Sequence, residues 1–178
     1  MSQTEVLSAA ARSDDLRRLV TDHYERRGRA LWGLARRLGA SDEQAADVVQ
    51  ETHLRLWHEL STRDVGDVDA WTFRVAYRLV MDTHRLTRRV RELVGRLADV
   101  GGSSMTHVLD DALSIWPLVD RLPARERATL YLRYRADLTF DQIGEVMGIT
   151  AASARTYASR GTERLRTVLS TSEELGDA

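Results

Sequence analysis

The sequence of 178 residues contains no cysteine and only two prolines. The lack of cysteine excludes disulfide bonds, thiol catalysis and cysteine-ligated zinc within this chain. Basic and acidic residues nearly cancel, at 26 against 27, so no global field attracts the protein to nucleic acid or membrane. No apolar run approaches membrane-spanning length, and the N-terminus lacks the basic and apolar regions of a signal peptide. These absences predict a soluble, cytoplasmic protein that does not contact a membrane. Any binding to DNA must come from local patches of charge or from an affinity supplied mainly by a partner.

The clearest pattern lies in segment 138–166, where two apolar periodic stretches flank a short turn. Thr139 and Gln142 have the spacing of a helix-opening capping box. Gly148 stands where the first helix must end, because glycine reaches left-handed backbone angles at little cost. Thr150 is suited to cap the second helix. The segment therefore predicts a helix-turn-helix, whose second helix enters a major groove.

The second helix of this segment has one face of small residues and one polar face. Ala154, Ala158, Gly161 and Leu165 fall together at helical period and predict the inward side. The opposite face carries short polar residues and two arginines, which suit contacts to base edges and phosphates. The candidate DNA-binding residues are Ser153, Arg155, Thr156, Ser159 and Arg160. The pattern alone also fits an ordinary surface helix of a helical bundle.

Apolar spacing and capping residues predict helices in the rest of the chain as well, so the fold class is all-α. Ser13 is expected to cap a first helix, which a second follows as far as Leu38. Ser41 with Gln44 forms another capping box, and Asp69 is expected to cap a long helix over 70–89. The polar tail 170–178 is predicted to be disordered.

The helical pattern loosens in the middle of the chain, around a run of glycine and serine. Such composition is typical of a linker. The sequence therefore predicts two small helical domains, 1–92 and 114–178, joined by a flexible linker at 93–113. The helix-turn-helix belongs to the C-terminal domain.

The helix that begins near Asp42 presents an apolar side chain, Leu54, on its polar face. A solitary exposed leucine is common and needs no explanation. The alternative is a docking face for another protein, apolar at its centre and polar at its rim. That face comprises Asp47, Gln50, Glu51, Leu54, Arg55 and His58. His53 and His58 diverge by about 140° around the helix axis, which argues against a shared metal ion.

The long helix over 70–89 carries an aromatic residue at the head of an arginine stripe. The stripe comprises Trp71, Arg74, Arg78, Arg85, Arg88 and Arg89. An aromatic ring beside arginines is suited to stack an unpaired base and to hold backbone phosphates. The alternative is a solvated basic face, with Trp71 packed at the corner of the core.

No residue pattern in the chain predicts an enzyme. Ser104, His107 and Asp110 have the residue types of a hydrolase triad, but they are crowded into seven residues of linker without a scaffold to orient them. The paired glycines of the linker lack the strand, spacing and lysine of a phosphate-binding loop. We therefore expect neither catalysis, nor a cofactor, nor a metal site.

Three segments in this order resemble the extracytoplasmic-function sigma factors of bacterial RNA polymerase. Segment 40–57, ASDEQAADVVQETHLRLW, resembles the family's core-binding segment, and Asp47, Gln50 and Glu51 match its D..VQE signature. Segment 70–89 is similar to the helix that melts and reads the minus-ten element. Segment 121–166 resembles the domain that reads the minus-thirty-five element.

The resemblance implies an alternative sigma factor that binds core RNA polymerase and directs promoter-specific transcription initiation. The Leu54 face would then dock on the clamp helices of the beta-prime subunit, and the Trp71 stripe would read the minus-ten element. Arg155 and Arg160 match basic positions of the minus-thirty-five reader. The implied partners are core polymerase, including its beta subunit, promoter DNA and an anti-sigma factor.

The chain departs from the family pattern at three positions, one of which is His53, where an apolar or aromatic residue is commoner. Arg78 stands where the family often has Asn, which suggests a phosphate contact instead of base reading. Gly161 stands where Ala is usual, and should loosen its helix by about 1 kcal/mol unless it packs closely.

Two alternative functions remain open from the sequence. A stand-alone helix-turn-helix regulator would explain the C-terminal part but would leave Leu54 and the Trp71 stripe without a role. A helical interaction protein would carry the arginine stripe merely as a solvated face.

Overall fold

A computed structural model describes residues 3–94 and 115–176, and within these ranges the chain is entirely helical. This confirms the predicted all-α class. The seven helices of the described ranges are α1 (Gln3–Arg37), α2 (Asp42–Thr62), α3 (Val68–Val94), α4 (Trp116–Val119), α5 (Ala124–Tyr134), α6 (Phe140–Met147) and α7 (Ala151–Gly176).

The N-terminal part of the chain is one long helix, where the sequence predicted two. The backbone passes Ser13 without interruption, because no proline or turn-forming run follows that would end the helix. The helix ends where predicted: Gly39 takes a φ of 99°, which favours glycine. The Ser41–Gln44 capping box then opens α2, as predicted, with both of its hydrogen bonds formed.

The long helix α3 begins at Val68, two residues before its predicted start at residue 70. Asp67 is the residue that caps it: the Ala70 N–H donates to Asp67 Oδ1 at 2.9 Å. Asp69 therefore lies in the first helical turn and reaches back to α1. There it accepts a hydrogen bond from Arg27 Nε at 2.8 Å, and its Oδ1 lies 3.2 Å from His23 Nε2. The aspartate predicted to be a cap instead ties α3 to α1.

The helix-turn-helix forms as the local sequence predicts. The Gln142 N–H donates to Thr139 Oγ1 at 3.3 Å, and Gln142 Oε1 accepts from the Thr139 N–H at 2.6 Å. Gly148 takes the left-handed conformation, with φ of 66°. The Ser153 N–H donates to Thr150 Oγ1 at 3.1 Å. The helix α7 then continues to Gly176, so the prediction of a disordered tail from 170 onward is wrong for most of that segment.

Two glycines set the close packing of the C-terminal helices. A Cβ atom at Gly144 would lie 2.8 Å from the backbone oxygen of Ile149. A Cβ atom at Gly161 would lie 2.9 Å from Leu130 Cδ1. Gly161 therefore packs closely against α5, which is the condition under which the sequence analysis expected no loosening of its helix.

The two halves of the described chain pack against each other and share one hydrophobic core. α1 contacts α5, and α3 contacts α6. The shared core contains Leu34 and Phe73 from the first half with Leu132 and Ile143 from the second. The predicted linker, 93–113, lies outside the described residues except for its first two positions, which belong to α3. The domain boundaries therefore stay a prediction.

Candidate functional site

The outer face of α2 presents the predicted docking residues together. The inner side of this helix is fixed by buried Ala45, Val49 and Leu56, which leaves Leu54 pointing outward with 58% of its surface exposed. Glu51 accepts a hydrogen bond from Arg55 Nε at 2.7 Å, one helical turn away. The structure places all of the predicted set on the exposed side, Glu51 being half-buried: Asp47, Gln50, Glu51, Leu54, Arg55 and His58.

The arginine stripe of α3 falls into two parts. Trp71 and Arg74 are half-buried at the start of the helix, whereas its remaining residues, Arg78, Arg85, Arg88 and Arg89, are exposed. Arg74 lies 3.6 Å from Glu145 of α6 as an ion pair. In the outer part, Arg85 pairs with Asp82 at 2.9 Å and Arg88 with Glu92 at 2.7 Å. These exposed pairs are weak, since solvent screens them, and leave the arginines available to another anion.

A cleft of about 690 Å³ joins the two predicted surfaces. Leu54, Arg55 and His58 line one wall, and Trp71, Arg74 and Arg78 line the other. The sequence analysis predicted two separate surfaces, because a sequence does not give the angle between α2 and α3. The cleft is also lined by residues of the α2–α3 connection that the sequence did not single out, among them Arg63, Asp64 and Val65. Their only sequence signal was the polar, turn-prone character of the loop.

Behind the cleft, a buried polar network ties α1, α2 and α3 together. His53 Nδ1 donates to the Val49 carbonyl oxygen at 2.7 Å, and His53 Nε2 lies 3.1 Å from His23 Nδ1. Thr72 Oγ1 lies 3.3 Å from His23 Nε2. His53 is therefore a buried, hydrogen-bonded core histidine, and its partner His23 was not identified from the sequence.

Burial sets the protonation of this histidine pair. The pKa of His23 is lowered to about 4, chiefly by burial and next by the neighbouring His53, while Asp69 opposes the shift. Burial also lowers the pKa of His53. Among the described residues, no group of three or more His, Asp or Glu side chains is arranged to hold a metal ion.

Most of the predicted DNA-binding residues on the polar face of α7 are exposed. Ala154 and Ala158 are buried, as are Gly161 and Leu165, which turns the predicted reading residues outward. Ser153 is the exception: its hydroxyl lies 2.9 Å from Thr150 Oγ1, within the cap of the helix. Arg155, Thr156, Ser159 and Arg160 are all exposed, and the Arg155 guanidinium lies 5.6 Å from the centre of the Phe140 ring.

Two predictions concern features that the described residues do not contain. Ser104, His107 and Asp110, which were rejected as a triad, lie outside the described residues. Within residues 3–94 and 115–176, no helix has both the length and the apolar character needed to cross a bilayer.

Comparison with protein families identifies both halves of the chain. Residues 23–90 match sigma-70 region 2, and residues 118–167 match sigma-70 region 4. The first match covers the α2 face and the whole α3 stripe. The second covers the helix-turn-helix.

Known sigma factors are similar to the chain over most of its length. The ECF RNA polymerase sigma factor SigL of Mycobacterium tuberculosis is 32% identical over 179 residues, which cover 95% of this chain and 95% of SigL. SigE of Mycolicibacterium smegmatis, also an ECF RNA polymerase sigma factor, is 27% identical over 85% of this chain, which spans 60% of that relative's length.

A solved structure shares the fold across both halves. It is the sigma factor RpoE of Bartonella quintana in complex with the anti-sigma factor NepR, with a TM-score of 0.64 and 19% identity over 84% of this chain and 96% of that one. With both sigma-70 regions present in order, and with SigL similar along nearly the whole chain, the protein belongs to the extracytoplasmic-function sigma factors.

Proposed function

We propose that this alternative sigma factor binds core RNA polymerase through the exposed face of α2. The single observation that carries the proposal is Leu54, a large apolar side chain that is 58% exposed and surrounded by charged and amide groups. An apolar centre with a polar rim is the usual anatomy of a protein interface. The proposed partner surface is the pair of clamp helices of the polymerase beta-prime subunit, with further contacts to the beta subunit.

The cleft beside this face is proposed to receive the melted minus-ten strand. Trp71 offers a ring on which an unpaired base can stack, and stacking tolerates any base because every base has a π-face. Arg78 at the rim and the exposed arginines farther along α3 offer positive charge to the backbone phosphates. A cleft shared by the docking face and the arginine stripe would couple polymerase binding to strand capture.

The polar face of α7 is proposed to contact the minus-thirty-five element in the major groove. Arg155 and Arg160 are exposed and lie on the same side as Thr156 and Ser159. Arginine is the side chain that most often reads guanine by two hydrogen bonds. Ser153 is assigned a smaller role, since its hydroxyl is engaged by the helix cap.

The near balance of charge fits a protein that relies on tethering. Each of the two DNA contacts is small, and joining them through polymerase raises their effective concentration for each other. We propose that the protein acts in the cytoplasm as an initiation factor without catalytic activity of its own. We further propose an anti-sigma factor as a partner, which is supported by the resemblance to the sigma factor bound to NepR.

Run-off transcription tests this assignment. Purified core polymerase is supplied with a library of promoter fragments, with and without the protein. Starts that are sequence-selective and depend on the protein are expected, and their alignment would give both promoter elements. Duplex binding by the protein alone, with neither polymerase binding nor transcription, would instead favour a stand-alone helix-turn-helix regulator.

A further inference from the structure

A basic cavity of about 360 Å³ lies where α1 meets α4 and α5. Its volume falls in the range of ligand-binding sites, which is about 300–1,000 Å³. One wall is a single face of α1, because its residues recur at the spacing of helical neighbours: Arg26, Arg29, Gly33 and Arg37. The opposite wall consists of Trp116, Tyr131 and Arg135. None of these side chains belongs to the surfaces proposed to bind polymerase or promoter DNA.

Small residues of α1 leave the middle of the cavity open. Ala30 and Gly33 lie between the arginines of this face, and the Tyr131 hydroxyl donates to the Ala30 carbonyl oxygen at 3.0 Å. A Cβ atom at Gly33 would overlap the Tyr131 hydroxyl. The cavity therefore combines a floor of small residues with long, cationic side chains around it.

The lining of the cavity has a large excess of positive charge. Among the lining residues that the structure describes there is no Asp or Glu, but there are five arginines: Arg26, Arg27, Arg29, Arg37 and Arg135. The carboxylates that balance two of them lie outside the cavity. Arg27 Nε donates to Asp69 Oδ2 at 2.8 Å, and Arg37 Nε lies 3.3 Å from Asp120 Oδ1. Like charges gathered in this way repel one another unless an anion lies among them.

Asp120 does not fully balance the charge on its side of the cavity. Arg127 Nη1 donates to the Asp120 carbonyl oxygen at 2.7 Å. Burial lowers the pKa of Arg127, and Arg37 adds to this effect, while Asp120 opposes it. Arg37 Nε is buried and makes no hydrogen bond within the described part of the chain. One carboxylate therefore faces two guanidinium groups.

Arginines from both walls lie close to the Tyr131 hydroxyl. Burial raises the pKa of Tyr131, and the positive charges of Arg37, Arg135 and Arg29 act in the opposite direction. A charge has such an effect mainly within about 4–6 Å. The guanidinium groups of α1 and of the end of α5 therefore surround a common point.

We propose that this cavity binds a compact polyphosphate, which is either the triphosphate chain of a nucleotide or an inorganic polyphosphate. Guanidinium groups bind phosphate oxygens through paired, charge-assisted hydrogen bonds. Several arginines around a small volume therefore favour adjacent phosphate groups over an anion with a single charge. Trp32 and Trp116 add indole surface to the lining, on which the base of a nucleotide can stack.

The four tryptophans of the chain locate the ligand directly. Trp32 and Trp116 line the cavity, whereas Trp57 and Trp71 do not. In the isotope-labelled full-length protein, sodium tripolyphosphate should shift the indole N–H resonances of Trp32 and Trp116 until the site is saturated. The resonances of Trp57 and Trp71 should stay in place. Spectra of the Trp32→Phe and Trp116→Phe proteins assign the resonances.

A double substitution tests the arginines themselves. Arg26→Gln with Arg135→Gln removes two exposed guanidinium groups from opposite walls. Affinity for tripolyphosphate, measured by isothermal titration calorimetry, should fall by about tenfold or more. Arg18→Gln with Arg166→Gln is the matched control, because it removes the same charge at exposed positions outside the cavity. The control should change the affinity by less than about twofold, since solvent screens distant surface charges.

Titrations with ATP and with tripolyphosphate at equal ionic strength distinguish the two sources of phosphate. Tighter binding of ATP assigns the site to nucleotides, and equal or weaker binding assigns it to inorganic polyphosphate. Resonances of Trp32 and Trp116 that do not shift, or equal weakening by both double substitutions, would overturn the proposal. So would saturation by a single-stranded oligonucleotide alone, because the arginines would then be a nucleic-acid surface. If the Arg26→Gln, Arg135→Gln protein does not fold, the indole shifts of the wild type decide.

Discussion

His23 Nδ1 and His53 Nε2 lie 3.1 Å apart inside region 2, where one imidazole donates to the other. The bond needs one unprotonated nitrogen, and a second proton on the pair would set two N–H groups against each other. Burial lowers the pKa of His23 to about 4, whereas an unfolded histidine titrates near 6.5. Between these values the unfolded chain binds more protons than the folded one, so stability must decrease as pH falls through this window.

Urea unfolding at two pH values checks this relationship. The free energy of unfolding should fall by about 2 kcal/mol between pH 7 and pH 5 from His23 alone. His23→Gln keeps hydrogen-bonding capacity but cannot titrate, so its stability should be lower at neutral pH and should change less between the two values. Equal pH slopes for the wild type and this variant would show that the pair does not control acid stability.

Polymerase binding is expected to depend on Leu54 far more than on other exposed leucines. Leu54→Asp places a charge at the centre of the proposed interface and should weaken binding by about 2 kcal/mol or more, the scale of an interface hot spot. The fold should be unchanged, because the side chain points into solvent. Fluorescence anisotropy with labelled sigma factor and core polymerase measures the loss.

Leu19→Asp is the control for this substitution. Leu19 is also exposed, at 44%, but lies on α1 outside the proposed face. The Leu19→Asp protein should bind polymerase with wild-type affinity. Wild-type affinity for Leu54→Asp with native helicity would remove the α2 face from the proposed interface.

The local features of this fold could be predicted from sequence, and the long-range ones could not. The capping boxes at Ser41 and Thr139 and the reversal at Gly148 depend on residues within one or two turns, so spacing alone predicts them. The Asp69 prediction failed because its partners, Arg27 and His23, lie on another helix.

The same limit applies to the candidate site. Helical periodicity correctly predicted that Leu54 and Arg155 are exposed. It gave no sign that α2 and α3 would enclose a cleft, or that Tyr131 would donate to Ala30, 101 residues away in the chain. Such contacts depend on the angles between helices, which are set by the whole core rather than by any one segment.

Upstream promoter contact is expected to require the two arginines on the outer face of α7. Arg155→Ala and Arg160→Ala should each cost about 1–3 kcal/mol where a specific base contact is lost. Arg166→Ala is the control, because Arg166 is an exposed arginine on the same helix that pairs with Glu163 at 2.7 Å. Footprinting of the polymerase complex over the upstream element should show reduced protection for the first two variants only. Unchanged protection in both would mean that another face of the domain meets the DNA.

Arg78 is expected to bind a phosphate at the minus-ten element rather than to read a base. The side chain is exposed at the rim of the cleft, and a guanidinium that holds a phosphate contributes the same free energy whatever the base sequence. Arg78→Ala should therefore weaken open-complex formation uniformly across minus-ten sequences, and the dependence of log K on log salt should become shallower by about one unit.

Arg78→Lys is the control, because it keeps the charge and should restore most of the salt slope. Because a lost base contact would instead weaken some sequences and spare others, comparing the variants across a minus-ten library distinguishes the two roles. A sequence-dependent loss that Lys does not restore would make Arg78 a base-reading residue.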